Sequence, residues 1–255
     1  MWPLTVEGVE VFGLLFVRCL GFYLAGPLFA ERSIPAQVRI LLAAGTSVAL
    51  LPLAGAGIPP ATDLPHFVLA VAGETFMGLL LGFGAALPFV GIRMAAELIG
   101  IQIGFGIVNI LDPREGGQVS ILDRFYELAA VTVFLVLNGH HLLLRAMGTS
   151  LRVVPLGGVS PSPGLAGHLT GMAGSMFVTA LAVGAPLIAV LFLTDAAMGF
   201  VARTVPQMNI FIVGFPVKIG IGLFGIAVTL PFFVRTIDRL IPSIERDLLL
   251  LLSGM

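Results

Sequence analysis

"LTGMAGSMFVTALAVGAPLIAVLFLTDAAMGFV" runs from Leu169 to Val201 and contains a single charged residue, Asp195. As one α-helix it would be about 50 Å long at about 1.5 Å per residue, well beyond the ~30 Å hydrocarbon core of a bilayer. A kink at Pro186 would relieve this mismatch only in part. The stretch therefore fits an ordinary lipid-spanning helix poorly.

The rest of the chain is equally apolar. Of its 255 residues, 58% are hydrophobic and only 11% are charged, whereas a soluble domain carries about 25% charged residues. Thirteen basic residues nearly balance fourteen acidic ones, so no basic field indicates a nucleic-acid partner. Cys19 is the only cysteine, which excludes an internal disulfide and a multi-cysteine metal site. Composition predicts a helical protein buried in a membrane or in a larger assembly.

Further apolar runs are long enough to cross a bilayer, and helices are expected because backbone polar groups in lipid must be satisfied within their own segment. These runs are Val9–Ala30, Ile40–Gly57, Phe67–Ile92, Leu122–Leu144 and Ile210–Val234, with a shorter one at Leu98–Leu111. The arginines between them give no consistent orientation by the positive-inside rule, either because short loops carry a noisy signal or because some of these helices do not insert in the conventional way. The sequence predicts one all-α domain, residues 1–255, of polytopic hydrophobic helical hairpins.

Five charged residues lie within or near these apolar runs: Arg18, Glu74, Glu127, Asp195 and Lys218. Each would be costly against lipid and must face protein, water or an opposite charge. One interpretation is an ion or proton path, and the other is pairing at helix contacts, within this chain or with another subunit. Pairing is favoured, because no two acidic residues recur at helical spacing on one segment. We therefore expect Glu127 and Lys218 to contact protein.

The sequence gives no positive evidence of a catalytic motif. "GIGLFG" at Gly220–Gly225 matches a dinucleotide-binding pattern only formally, because it lies inside an apolar run and not between a strand and a helix. His140 and His141 are adjacent, which points them about 100° apart on a helix and away from a shared metal ion. We predict no catalytic residue, no metal site and no cofactor.

A charged insert interrupts the apolar pattern at Phe105–Ser120, "FGIVNILDPREGGQVS". Asp112-Pro113 ends a helix, because proline restrains the residue before it, and Gly116 and Gly117 give the backbone freedom. The insert also has apolar residues able to occlude a narrow channel by dewetting, and charged residues that keep the turn hydrated. The apolar ones are Phe105, Ile107, Val108, Ile110 and Leu111; the charged ones are Asp112, Arg114 and Glu115. A plain interhelical loop explains these residues equally well.

Four stretches together resemble the FliR family, the flagellar biosynthetic proteins of the type III export gate, to which injectisome proteins are similar. They are "GFGIVNILDPREGGQVSIL" (Gly104–Leu122), "FLVLNGHHLLL" (Phe134–Leu144), "VPLG" (Val154–Gly157) and "PQMNIFIVGFPVKIGIGL" (Pro206–Leu223). "NGHH" and "GFPVK" resemble the flagellar branch more than the injectisome branch. The resemblance implies a non-enzymatic subunit of a helical gate in the bacterial inner membrane, within the flagellar basal body.

The resemblance also implies partners and a plug. The subunit would occur once per gate, with several copies of FliP-like and FliQ-like proteins, in contact with an FlhB-like protein, around a conduit for unfolded export substrates. Residues 1–152 would be FliP-like and residues 168–255 FliQ-like. The family has a loop that plugs the closed pore, and the matching positions are those of the 105–120 insert, so the resemblance favours the plug over a plain loop.

Two rival functions remain. A secondary transporter of small solutes would need a midplane site with convergent charges, for which Glu74, Asp195 and Lys218 are the candidates. An intramembrane enzyme would use His140, His141 and Asp195. Either rival should work as the purified chain alone, whereas a gate subunit should require its partners.

Overall fold

The computed structural model describes residues 6–30, 34–54, 64–105, 121–207 and 209–255. Within these ranges the chain forms seven α-helices and no strand, which confirms the all-α prediction. The helices are α1 Val6–Ala25, α2 Ala36–Leu50, α3 Leu64–Ile103, α4 Ile121–Val136, α5 Gly139–Val153, α6 Leu165–Thr204 and α7 Ile210–Ser253. A 3-10 turn at Leu51–Leu53 extends α2.

Three of the helices are much longer than a bilayer requires. α3 and α6 have 40 residues each and α7 has 44, which corresponds to about 60–66 Å at about 1.5 Å per residue. The run from Leu169 to Val201 lies within the single helix α6, which includes Pro186. Among the described residues, five helices are long and apolar enough to cross a membrane, and six spans result if α4 and α5 count as one broken span.

Two helices continue where the apolar pattern stops. α3 runs through Arg93–Glu97 and joins two apolar runs that the sequence separates, because Ile92, Ala95, Ala96 and Ile99 stay buried while the charged side chains are exposed. α7 continues beyond Val234 to Ser253. Its last part buries Phe233, Ile237, Ile244 and Leu248, the spacing of an amphipathic helix.

One helix is shorter than expected. The apolar run Leu122–Leu144 predicts a continuous segment, but α4 ends at Val136 and α5 begins at Gly139. Asn138 lies between them with φ 60°, in the left-handed region. Asparagine adopts this conformation more readily than other residues with a side chain, because its short polar group bonds locally. Asn138 thus marks the break between the two helices, inside an apolar run.

Close contacts divide the chain into two compact units. The first consists of Met1–Leu87, Asn138–Gly174 and Ile241–Met255. Within it α1 runs parallel to the first part of α3, and the backbones touch through glycines. A Cβ atom at Gly21 would lie 2.7 Å from the Thr75 carbonyl oxygen, and one at Gly82 would lie 2.5 Å from that of Phe22. Any larger residue would push these helices apart.

The second unit consists of Pro88–Leu137 and Ser175–Leu240. Its α6 and α7 segments form an antiparallel hairpin, with Leu187 packed against Gly225 and Met198 near Gly214. Edge-to-face aromatic pairs join the other elements: Phe89 and Phe134 link α3 with α4, with ring centroids 5.2 Å apart. Tyr126 and Phe233 link α4 with α7 at 5.3 Å. Such pairs add about 0.5–1.5 kcal/mol each beyond area burial.

Candidate functional site

The predicted plug begins where α3 ends, and Phe105 is its only residue within the described ranges. The others lie outside the described residues: Ile107, Val108, Ile110, Leu111, Asp112, Pro113, Arg114, Glu115, Gly116 and Gly117. Of this region, the structure describes the helix that leads into the predicted plug.

α3 ends in a Schellman motif centred on Gly104. The Phe105 N–H donates to the Gly100 carbonyl over 2.9 Å, and the Gly104 N–H donates to the Ile101 carbonyl over 3.1 Å. Gly104 has φ 107°, a conformation that residues with a Cβ rarely adopt. The motif satisfies the last carbonyls of the helix and gives the chain a defined exit direction.

Two glycines seat this helix end against α7. A Cβ atom at Gly104 would lie 2.8 Å from the Phe215 ring, and one at Gly222 would lie 2.5 Å from the Ile103 side chain. Ile103 is completely buried. The close fit leaves no room for a larger residue at either position without displacing an aromatic ring or a packed isoleucine.

A polar cluster of Gln102, Asp195 and Lys218, here called the Asp195 cluster, adjoins this fit. The Lys218 ammonium lies 2.8 Å from Asp195 Oδ1 and 3.0 Å from Oδ2. Gln102 Nε2 donates to Asp195 Oδ2 over 2.9 Å. One carboxylate on α6 thus binds a cation on α7 and an amide on α3. The two charges are conspicuous in the sequence, whereas Gln102 is an isolated amide in an apolar run and was not predicted.

Glu127 is placed between two arginines of the second unit. Its carboxylate lies 3.5 Å from Arg93 on α3 and 3.2 Å from Arg124 one turn earlier on α4. The arginine side chains are 50% and 48% exposed, so solvent would screen these pairs and each would contribute about 1 kcal/mol or less. Glu127 thus contacts protein in this chain.

Arg18 and Glu74 form a salt bridge between α1 and α3 in which neither side chain has any exposed surface. The Arg18 Nε donates to Glu74 Oε2, and Nη2 donates to Oε1 over 3.0 Å. This bidentate geometry is the strongest that an arginine–carboxylate pair adopts. Because a buried charge is costly alone, each residue requires the other.

The pair also binds α5 and the turn after it. Arg18 Nη1 donates to Ser150 Oγ over 3.3 Å and to the Val154 carbonyl over 3.1 Å, while the Gly157 N–H donates to Glu74 Oε1 over 2.8 Å. We call these five residues the Arg18 network. Ser150 and the two backbone groups were not predicted from the sequence, although Val154 and Gly157 lie in the "VPLG" stretch that carried part of the resemblance.

The two histidines lie at the start of α5. Their ring centroids are 4.2 Å apart, closer than a 100° separation on a helix predicts, and the His140 Nδ1 atom is buried without a hydrogen-bond partner among the described residues. In the described part of the chain, no group of three or more histidine, cysteine or acidic side chains could hold a metal ion. The Arg18–Glu74 and Asp195–Lys218 pairs described above each connect two helices.

Comparisons with known proteins give a consistent result. Residues 9–244 match the family model described as "Bacterial export proteins, family 1". The flagellar biosynthetic protein FliR of Bacillus subtilis (strain 168) is 34% identical over 97% of this chain and 98% of its own length. That of Escherichia coli (strain K12) is 30% identical over 89% and 87%. That of Pectobacterium carotovorum subsp. carotovorum is 30% identical over 94% and 91%.

Proposed function

Since the chain belongs to bacterial export protein family 1, the family of the FliR flagellar proteins, we propose that it is a structural subunit of the flagellar type III export gate. At the coarser level it is a membrane component of flagellar protein export. In the finer proposal it lines the conduit for unfolded export substrates and helps to close it. The observation that carries the proposal is similarity along almost the whole chain, including 98% of the Bacillus subtilis protein.

The apolar surface of the second unit supports an assembled state. α6 exposes large apolar side chains such as Phe177, Leu181 and Phe192, and α7 does the same at Leu223 and Phe224. Only 33% of an apolar 18-residue stretch of α6 and 17% of one in α7 is buried in the chain. Helices of about 60–66 Å exceed a ~30 Å hydrocarbon core. Lipid alone would leave part of this surface in water, so we propose that neighbouring subunits cover it.

The plug is part of the same proposal. We assign occlusion of the conduit to the apolar residues of the 105–120 insert and the swinging motion to Gly116 and Gly117. The support from the described residues lies next to the insert: α3 ends in a capped, closely packed turn at Gly104. A fixed base is what a short plug requires, because an error in its starting point would misplace every residue that follows.

The proposed partners are FliP-like and FliQ-like gate subunits, an FlhB-like protein and the substrates in transit, in the inner membrane at the flagellar basal body. We propose no enzymatic role. The FliP-like character of residues 1–152 and the FliQ-like character of residues 168–255 are part of this proposal. The charges that a solute transporter would use are already paired, Glu74 with Arg18 and Asp195 with Lys218, so no observation favours that rival.

Co-expression tests the proposal. The tagged chain should be extracted from membranes together with FliP-like and FliQ-like proteins in a fixed ratio, and counting the chains in the purified particle by native mass spectrometry should give one copy of this subunit. The matched sample is the same tagged chain expressed without its partners. A solitary chain that moves a small solute or turns over a substrate in proteoliposomes would overturn the proposal.

A further inference from the structure

The Asp195 cluster connects the last turn of α3 to the α6–α7 hairpin through polar contacts. Asp195 is 93 residues from Gln102 and 23 residues from Lys218 in sequence. Its Oδ2 atom accepts hydrogen bonds from both, Gln102 at 2.9 Å and Lys218 at 3.0 Å. Three helices thus share one carboxylate oxygen.

This cluster lies in predominantly apolar parts of α3, α6 and α7. The Lys218 side chain is 19% exposed and that of Asp195 is 41% exposed, so the cluster lies at the surface of the chain on a candidate membrane-spanning hairpin. Charges in such surroundings are costly unless they are paired. Lys218 neutralises Asp195, and the paired carboxylate then gives the Gln102 amide a strong acceptor. Without Lys218, the same carboxylate would be an unpaired charge next to the end of α3.

Apolar packing cannot provide the same directional attachment. Ile103 fits against Gly222, and Phe215 fits against Gly104, but these contacts are non-directional. A hydrogen bond from Gln102 fixes the rotation of α3 about its axis, because only one face of the last turn can reach Asp195. Rotation matters here because the chain leaves α3 two residues later, through the Schellman motif at Gly104.

We propose that Gln102, Asp195 and Lys218 are positioning residues that clamp the C-terminal end of α3 onto the α6–α7 hairpin and thereby set the point from which the 105–120 insert departs. The consequence for conductance rests on the plug proposed above, whereas the clamp itself rests on the described geometry. Lys218 acts through Asp195, and Gln102 is the group that connects the pair to α3.

Hydrogen–deuterium exchange on the purified complex measures the clamp directly. In the described part of the chain, the Gly104 and Phe105 amides donate to carbonyls of the last turn of α3, so the exchange of the peptide covering residues 98–105 reports on that turn. Gln102→Leu and Lys218→Met should each raise its exchange rate about tenfold, with normal recovery of the partner subunits. Gln102→Leu should leave exchange in α6 unchanged, because the Asp195–Lys218 pair remains.

Reversing the ion pair separates a positioning role from simple loss of charge. In the double variant Asp195→Lys with Lys218→Asp, the side-chain carbonyl oxygen of Gln102 can accept a hydrogen bond from the ammonium group then carried by α6. The exchange rate of residues 98–105 should therefore return to within about twofold of its original value. Thr194→Val is the matched control, because among the described residues the Thr194 hydroxyl donates to the Val190 carbonyl of its own helix, over 2.9 Å. It should leave exchange and ion leakage unchanged.

Ion leakage through the same complexes in proteoliposomes completes the test. Faster exchange accompanied by leakage in Gln102→Leu supports both the clamp and the plug. Faster exchange without leakage supports the clamp and overturns the plug. Unchanged exchange of residues 98–105 in Gln102→Leu and Lys218→Met overturns the clamp, whatever the leakage.

Discussion

Arg18 and Glu74 illustrate at the scale of single residues why buried charges are retained in an apolar chain. The pair has no exposed surface, and Ser150, Val154 and Gly157 provide it with further hydrogen bonds. Burying two charges is costly, and only the complete set of partners offsets that cost. Removal of one member should therefore damage the fold more than removal of both.

Cys19 provides the measurement, because it is completely buried next to Arg18. Arg18→Met or Glu74→Met leaves an unpaired buried charge, which costs about 3–5 kcal/mol. The rate at which a maleimide modifies Cys19 in the purified protein should rise more than about a hundredfold in either single variant. It should rise much less in the double variant, since no charge is left unpaired.

Arg152→Met is the matched control, because Arg152 is exposed on the neighbouring helix α5. It should change the Cys19 modification rate little, as surface substitutions do. Equal modification rates in the parent protein and both single variants would show that the network does not hold α1 in place.

At this scale the sequence identified residue types and missed partners. Arg18, Glu74, Asp195 and Lys218 stand out because a charge in an apolar run is conspicuous. Which residues pair is not visible in the sequence, since Glu74 is 56 residues from Arg18 and Gln102 is 93 residues from Asp195. Backbone groups such as the Gly157 N–H leave no compositional signal at all.

At the scale of elements, apolar patterning predicted α6 well because that helix is apolar throughout. Apolar patterning failed where a helix is not apolar throughout. α3 continues through Arg93–Glu97, and α7 continues past Val234, because these segments bury one face and expose charges on the other. The break between α4 and α5 was missed for the opposite reason, since Asn138 interrupts the helix within an apolar run.

Asn138 makes a specific prediction about that break. Its φ of 60° costs most side chains about 1–2 kcal/mol, and β-branched residues tolerate it least. Asn138→Val should lower the midpoint of thermal unfolding by about 2–8 °C, followed by far-ultraviolet circular dichroism. Asn138→Gly should leave it nearly unchanged. A valine variant as stable as the glycine variant would mean that the left-handed conformation is not required.

The 105–120 insert makes a prediction about closure. Deleting Asp112–Gly117 should leave co-purification with the gate subunits largely intact but raise the leakage of ions or small solutes through the membrane. Replacing the same six residues with an unrelated flexible sequence of equal length is the control for loop shortening and should also leak. If the deleted complex assembles and stays tight, the plug assignment is wrong.

At the scale of the whole molecule, the chain exposes many large apolar side chains. Chain length, composition and apolar runs are enough to predict a helical membrane protein, and the family resemblance was confirmed along residues 9–244. The two compact units were not predicted, because each combines segments from distant parts of the sequence. Nor does the sequence state which helices face lipid and which face protein, since both surroundings favour the same apolar side chains.

Site-specific photocrosslinking in intact membranes tests this point most directly. A diazirine amino acid would replace Phe192, Phe224 or Ile212, which are 66%, 72% and 71% exposed in the chain. We predict crosslinks to FliP-like or FliQ-like proteins from at least two of these positions, and their loss when the partner genes are deleted. Crosslinks to lipid alone from all three positions, in cells that export flagellar proteins, would contradict the account.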